Sequence, residues 1–576
     1  MSAPRRTSIG HYLLTRLREC GIDTVFGVPG DFNLTFLEQL TRTPKLRWVG
    51  NCNELNGAYA ADGYARMKGA AALVVTYGVG DLSALNGLAG SFAERVPVIC
   101  ISGLPPLQAI RDRMIMHHTS GMGNLEDVMD CVRQFTVAQA RLEPANAAIE
   151  IDRLLSTALR ERRPVYLQFP CDIVNLEIDA PLSPLEVTQP RSDSKQLARA
   201  VGKVVERIKR SKSPMILVDG DAHRFGLRPW LCALGEALKI PFASLASGRT
   251  IFNEQHPLYS GIYAGEGSSP GVGEAVEHSD CLLGIGVRLF DITTGIFSHR
   301  IPEAHLVRID PFVVSANGET FEGVVAAELL EELTKVFAPN SSPVSAHVPE
   351  QSPATSFAPA ESQDPLSHVN LWPRIEAFLA KNDVIIAESG TVSAGIGGIR
   401  LPADCAFIHQ TLWASIGYAL PATLGAMMAE PSRRHLLFIG DGALQMTAQE
   451  ISTLFRQKLK PIIFVVNNSG YTIERVIFGK RSEYNDIQNW NYRALPQVFS
   501  ENAKLRTFKA ATVGELDAVL KIAQQSDCFT LIELILDAFD APQGLFRMGS
   551  RVAKFNYGLD EEARTELENR CNPGWS

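Results

Sequence analysis

The sequence predicts an α/β protein built of three doubly wound parallel-sheet domains, and three observations predict it. Short β-branched and apolar runs alternate with amphipathic stretches along the chain, as parallel strands covered by helices on both faces require. At 576 residues the chain is too long for a single hydrophobic core. Two stretches of altered composition then divide the alternation. Residues 181–194 are rich in Pro, Ser and Asp, and in residues 339–365 Pro or Ser fills 12 of 27 positions with no Lys or Arg, a composition that forms no core.

In the first segment, residues 1–185, the strands are TVFGVPG, ALVVTYGVG, PVICISG and PVYLQFP, most closed by a glycine or proline turn. The second segment, residues 195–338, offers PMILVDG, CLLGIGV and HLVRID. Residues 339–365 form the linker. The third segment, residues 366–560, contains DVIIAESG, AFIHQ, HLLFIGDG, PIIFVVNN and TLIELIL. From Cys405 to Ala429 no residue is charged, a run of nearly membrane-spanning length. It holds His409, Gln410, Thr411, Gly417, Pro421 and Gly425, so it is expected as a buried strand, turn and helix beside a site.

Composition excludes several function classes. Lys and Arg number 55 against 63 Asp and Glu, a net charge of −8 without blocks of one sign. A nucleic-acid or anionic-membrane footprint needs the opposite balance, so no nucleic acid and no membrane partner is expected, and a small molecule fits better. The ten cysteines lie scattered without CxxC spacing, which argues against a zinc site or disulfide framework. The opening MSAPRRTSIGHYLL shows no signal-like apolar core. A cytoplasmic location is the expectation.

The chemistry concentrates in a few motifs. HLLFIGDGALQMTAQEIS is a hydrophobic strand, a GDG turn and an amphipathic helix. Gly440 and Gly442 let backbone approach a ligand, and the helix start offers N–H groups to an anion. Asp441 would repel a phosphate unless a cation stood between them, a role that suits Mg²⁺. After GDG, 24 residues pass before Asn467 and Asn468 in PIIFVVNNSGYTIE. Asn468 offers an amide oxygen and Gly470 a carbonyl. Together with Asp441, two diphosphate oxygens and one water, they complete six hard oxygen ligands.

The strand–GDG–strand–NN pattern resembles the cofactor motif of thiamine diphosphate enzymes. Other stretches are similar to the pyruvate decarboxylase and indolepyruvate decarboxylase branch: FGVPGDFNL, GNCNELNGAYAADGYAR, TYGVGDLSALNG, HHTSGMG and YTIERVIFG. The resemblance runs from about residue 8 to 550 and implies the cofactors thiamine diphosphate and Mg²⁺, with Asp441, Asn468 and Gly470 as metal ligands. It implies that Glu54 activates the cofactor through its pyrimidine ring, while Asp31, His117, His118 and Glu474 surround the reacting carbon as acid–base groups. Cofactor contacts are implied for Glu54, Thr391, the Ala414 carbonyl, the Ile416 wedge, Gly440, Asp441, Gly442, Ala443, Asn468 and Gly470. The implied reaction is non-oxidative decarboxylation of a 2-oxo acid to an aldehyde and CO₂ through a cofactor-bound enamine. The alternative is acyloin-forming carboligation, which shares that enamine. Because Glu54 and GDG of one site come from different subunits in the family, a homodimer or homotetramer is implied.

The match departs from relatives in places. Asp81 stands where Glu is frequent, and VDGDAHR lacks the cysteine of substrate-activated yeast-type enzymes. FDITTGIF and GTVSAGIGG place Ile292, Ser393 and Ala394 where aromatic side chains line a pyruvate cavity. A larger cavity is expected unless Phe290 or Phe478 fills the space.

Overall fold

The computed structural model describes residues 5–181, 183–337 and 360–571. Residues 339–359 of the expected linker lie outside the described residues. The first six-stranded sheet runs, in spatial order, Arg47–Gly50, Thr24–Gly27, Ala71–Thr76, Val98–Leu104, Val165–Pro170 and Ala138–Arg141, every pair parallel. The last sheet runs Ala406–Ile408, Val384–Ala387, His435–Gly440, Ile462–Asn467, Phe529–Ile535 and Leu505–Ala510, again parallel throughout. Counted along the chain, both sheets have the order 2-1-3-4-6-5. Between them lies a seven-stranded sheet whose parallel part is Tyr259–Ile262, Phe242–Ser244, Pro214–Val218, Cys281–Ile285 and Leu306–Asp310.

The interior strands are those expected from apolar runs. Val98–Leu104 and Ile462–Asn467 are buried along their whole length, as strands covered on both faces must be. The edge strand Ala406–Ile408 was expected from AFIHQ, but three other edge strands escaped the pattern. Arg47–Gly50, Ala138–Arg141 and Leu505–Ala510 are half-exposed and carry Arg, Gln or Lys. The central sheet also ends in an unexpected antiparallel hairpin, Val313–Ala316 with Glu319–Glu322. Its turn is Asn317-Gly318 at φ 52° and 77°, the pair of left-handed residues that a tight hairpin favours. The uncharged run is Ala406–Ile408, a turn segment, and the wholly buried helix Ala419–Ala429. Among the described residues no helix is long and apolar enough to cross a membrane.

One core joins the first and last sheets, with Phe26, Tyr59 and Tyr64 packed among Tyr418, Leu420 and Leu437. Its axis is the crossing of helices Glu54–Lys68 and Ala419–Ala429. The crossing needs glycine. A Cβ on Gly63 would collide with the Ala422 carbonyl, and one on Gly425 with the Ala60 carbonyl.

Candidate active site

In doubly wound sheets, ligands bind beyond the carboxyl ends of the strands, where the strand order reverses. Leaving Thr24–Gly27, the chain turns sharply: Gly30 N donates to Asn33 Oδ1 (3.0 Å) and Asn33 Nδ2 to Val28 O (3.2 Å). The turn exposes Asp31 and buries Phe32. The Phe32 ring stacks on His117 at 4.8 Å and meets His118 edge-on at 6.2 Å. His117 Nε2 lies 2.8 Å from Asp31 Oδ2, and the two imidazoles are 4.5 Å apart. One carboxylate and two imidazoles this close can hold and pass a proton as one unit.

Glu54 stands nearby. The His118 carbonyl presses on Gly78, where a Cβ would collide with it, and a Cβ on Gly80 would lie 3.5 Å from Glu54 Oε1. The Gly78–Gly80 turn is therefore a floor shared by His118 and Glu54. Glu54 opens its helix behind Asn53, whose Oδ1 accepts Asn56 N at 2.8 Å, and the helix start favours a carboxylate.

The last sheet carries the second group. Asp441 opens helix Asp441–Thr447 and is 1% exposed. Gly442 N donates to its Oδ1 (2.8 Å) and Gly470 N to its Oδ2 (3.1 Å). Burial pushes this carboxyl up to about 6, and among the described residues no Lys, Arg or His pairs with it. The buried Asn468 amide satisfies its neighbours with nitrogen inward, donating to Asp441 Oδ1 (3.3 Å) and Gly470 O (3.0 Å) while its oxygen accepts Thr472 Oγ1 (2.9 Å). Turned oxygen inward, it would bring three oxygens together, an arrangement that a cation would stabilise. That donor set fits a hard divalent ion and nothing softer. Nothing stands within 4 Å of where a Gly440 Cβ would be, leaving room for a ligand beside it, and Ala443 lies one turn into the same helix.

Between the groups runs the segment His409–Ala419. Ala414 has φ 52°, which turns its peptide out of the regular path. Ile416 is half-buried against the shared core. Ser415 Oγ is 2.7 Å from Tyr59 Oη and accepts Asn86 Nδ2 at 3.1 Å. Gly417 packs so closely on helix Asp441–Thr447 that a Cβ would lie 2.9 Å from Met446 Cβ. Thr391, 7% exposed, opens helix Thr391–Ile396.

Glu474 is exposed on helix Thr472–Ile477. The other side of that helix packs into a small apolar cluster: Val476 with Leu545, and Ile473 with Ala394 and Met548. Phe478 leans on Tyr557 with ring centroids 5.7 Å apart, and Ile292 is 37% exposed. Among the described residues, no hydrogen bond or ion pair joins Glu474 or the Asp441 group to the Asp31–His117–His118–Glu54 group. One chain thus gathers the expected residues at two sheet ends.

Three buried carboxylates that sequence reasoning missed hold these parts in place. Glu388 accepts Gly417 N (3.0 Å) and Ala419 N (3.1 Å), and burial pushes it up to about 7. Glu94 accepts Leu412 N at 2.7 Å. Glu450 accepts Asn51 Nδ2, Asn56 Nδ2 and Cys52 N. Their only mark in the sequence is a lone carboxylate amid small or apolar residues, as in IIAESG and MTAQEIS.

Family comparison agrees with this geometry. Residues 7–128 match the thiamine pyrophosphate enzyme N-terminal TPP binding domain, residues 201–326 the central domain, and residues 395–534 the C-terminal TPP binding domain. The chain belongs to the thiamine pyrophosphate enzyme family. Within this family it is 40% identical to pyruvate decarboxylase isozyme 2 of Saccharomyces cerevisiae over 95% of this chain and 99% of that protein. It is 41% identical to an alpha-keto-acid decarboxylase of Mycolicibacterium paratuberculosis, covering 94% of this chain and 96% of the other. An X-ray structure described as that of a thiamin diphosphate-dependent enzyme from Mycobacterium smegmatis shares the fold. Its TM-score is 0.74 at 21% identity, over 92% of this chain and 99% of that one.

Proposed function

We propose that this member of the family decarboxylates a 2-oxo acid non-oxidatively, releasing an aldehyde and CO₂, with thiamine diphosphate and Mg²⁺ as cofactors. The observation that carries the reading is the Asp31–His117–His118 cluster sharing the Gly78–Gly80 floor with Glu54. When bound, thiamine diphosphate supplies the nucleophilic carbon and the electron sink that loss of CO₂ from a 2-oxo acid requires. Asp441, Asn468 and the Gly470 carbonyl would hold Mg²⁺. Gly440, Gly442 and Ala443 would line the diphosphate, and Thr391, the Ala414 carbonyl and Ile416 would orient the ring system. Glu54 would hold a proton at the pyrimidine side.

Asp31 and the two histidines handle protons on the substrate side. A carboxylate beside a 2-oxo acid would repel it, and the His117 imidazole 2.8 Å from Asp31 offers a group that can share a proton with that carboxylate and hand one to the carbon that loses CO₂. Exposed Glu474 would complete this set. Small side chains at Ser393 and Ala394 and the outward Ile292 favour a cavity with room beyond a methyl group. Two residue groups must act on one cofactor, and among the described residues no hydrogen bond or ion pair joins their side chains within a chain, which supports a homodimer or homotetramer with the cofactor at the subunit interface. We assign residues 1–185, 195–338 and 366–560 to the pyrimidine, central and diphosphate domains, joined by the linker 339–365, in a cytoplasmic enzyme.

CO₂ release from pyruvate, branched 2-oxo acids, phenylpyruvate and indolepyruvate, with both cofactors present, tests the reading. Turnover of at least one acid is expected. Absence of CO₂ from every acid, with acyloin formed when an acceptor aldehyde is added, would replace decarboxylation by carboligation.

A further inference from the structure

We infer that Glu450 is the positioning residue that presents Glu54, and that it ties the Glu54 arm of one active site to the metal-bearing helix of another. The inference rests on the reading that Glu54 serves the cofactor held by Asp441 of a second copy. Glu450 is 0% exposed. Its Oε1 accepts Asn51 Nδ2 at 2.8 Å, and its Oε2 accepts Asn56 Nδ2 at 2.8 Å and Cys52 N at 3.3 Å. The three donors belong to residues on both sides of Glu54. Asn51 is fixed from its other end as well, because its Oδ1 accepts Gly27 N at 3.1 Å.

A buried carboxylate without a cationic partner is an expensive way to join two segments, since its charge must be held by neutral donors alone. Such charge-assisted bonds are nevertheless shorter and more directional than neutral ones, which suits a contact whose task is aim. Among the described residues no Lys, Arg or His pairs with Glu450. The same carboxylate stands nine positions after Asp441, in the consecutive helical segments Asp441–Thr447, Ala448–Glu450 and Ile451–Arg456, which bend at Thr447 (φ −137°). One short stretch of chain therefore begins on the metal ligand of its own chain's diphosphate site and grips the cap of the helix that Glu54 opens.

Two measurements test this. In Glu450→Gln, loaded with thiamine diphosphate and Mg²⁺, exchange of the cofactor's C2 proton with deuterium should slow about 10–100-fold, as loss of a group that orients a reacting one does. Cofactor affinity should change far less. In a Glu54→Gln background, adding Glu450→Gln should slow exchange little further. Unchanged exchange, or two fully additive losses, would overturn the role.

Hybrid dimers of differently tagged chains give the second readout. A Glu450→Gln chain paired with an Asp441→Asn chain should regain activity, because both lesions then fall on one site and the other is intact. Glu450→Gln paired with Glu54→Gln should not. The reverse pattern would mean that Glu450 merely supports its own diphosphate domain. Asp441→Asn paired with Glu54→Gln is the control, and its failure to regain activity would refute the two-chain site instead. Should Glu450→Gln fail to fold, Asn51→Ala removes the same contact from the other side and should give the same pairing pattern.

Discussion

After its third strand the first sheet places Asp81, and after its third strand the last sheet places Asp441. Both carboxylates are 0–1% exposed, and burial raises them to about 7 and about 6. Their partners differ. Ser102 Oγ (2.9 Å) and Gly78 N (3.0 Å) both donate to Asp81 Oδ2, and its buried Oδ1 accepts no hydrogen bond among the described residues. Asp441 instead accepts a backbone N–H at each oxygen and faces the Asn468 amide and the Gly470 carbonyl, the makings of an oxygen cradle. After the first and second strands the roles exchange. The first sheet carries Asp31 and Glu54 there, whereas the last sheet carries Glu388 and the segment that Glu388 braces. In the function proposed above, identical strand order serves proton handling at one sheet and anchoring at the other, and the loops decide which.

The largest expected effect breaks the comparison on the proton-handling side. Glu54→Gln should lower turnover about 10²–10⁴-fold, the usual worth of a positioned acid–base group, and steady-state kinetics with saturating cofactor would show it. His117→Ala should fall in the same range and, unlike Glu54→Gln, should also alter the pH profile of kcat/KM, because it removes a member of the coupled cluster.

The next prediction concerns Asp81. Its folded value lies above the ordinary 3.8, so between roughly pH 4 and 7 the folded chain keeps a proton that the unfolded chain has released. Stability then falls as pH rises through that window. The shift corresponds to at most about 4 kcal/mol at 1.36 kcal/mol per unit. Asp81→Asn should remove this slope, so the difference in Tm from wild type should grow in the variant's favour from pH 5 to pH 8. Glu388 titrates in the same direction, and the difference between the two proteins isolates Asp81.

Smaller effects sharpen the link between the sheets. Gly425→Ala should cost about 1–3 kcal/mol through overpacking, visible as a lower Tm. Ser415→Ala, which loses the Tyr59 and Asn86 contacts, should cost about 1 kcal/mol.

Much of this was legible beforehand. Interior strands declare themselves because burial on both faces demands runs such as VICISGL and IIFVVN. The cradle was legible because Asp441, Asn468 and Gly470 lie on two adjacent strand ends of one sheet. Edge strands Arg47–Gly50, Ala138–Arg141 and Leu505–Ala510 were not, since much of their surface faces water and carries polar side chains. Nor were Glu388, Glu94 and Glu450. Their acceptor roles depend on backbone and amide donors that approach from 29 to 399 positions away, and no local spacing encodes that.

The division of labour between the sheets is tested most directly by thiamine diphosphate binding, measured calorimetrically with Mg²⁺ for wild type, Glu54→Gln and Asp441→Asn. The account predicts that Glu54→Gln binds the cofactor nearly as wild type does, yet does not turn over. It predicts that Asp441→Asn loses binding on the order of 10³-fold, several kcal/mol of metal-mediated attraction. Wild-type affinity in Asp441→Asn together with lost binding in Glu54→Gln would contradict it.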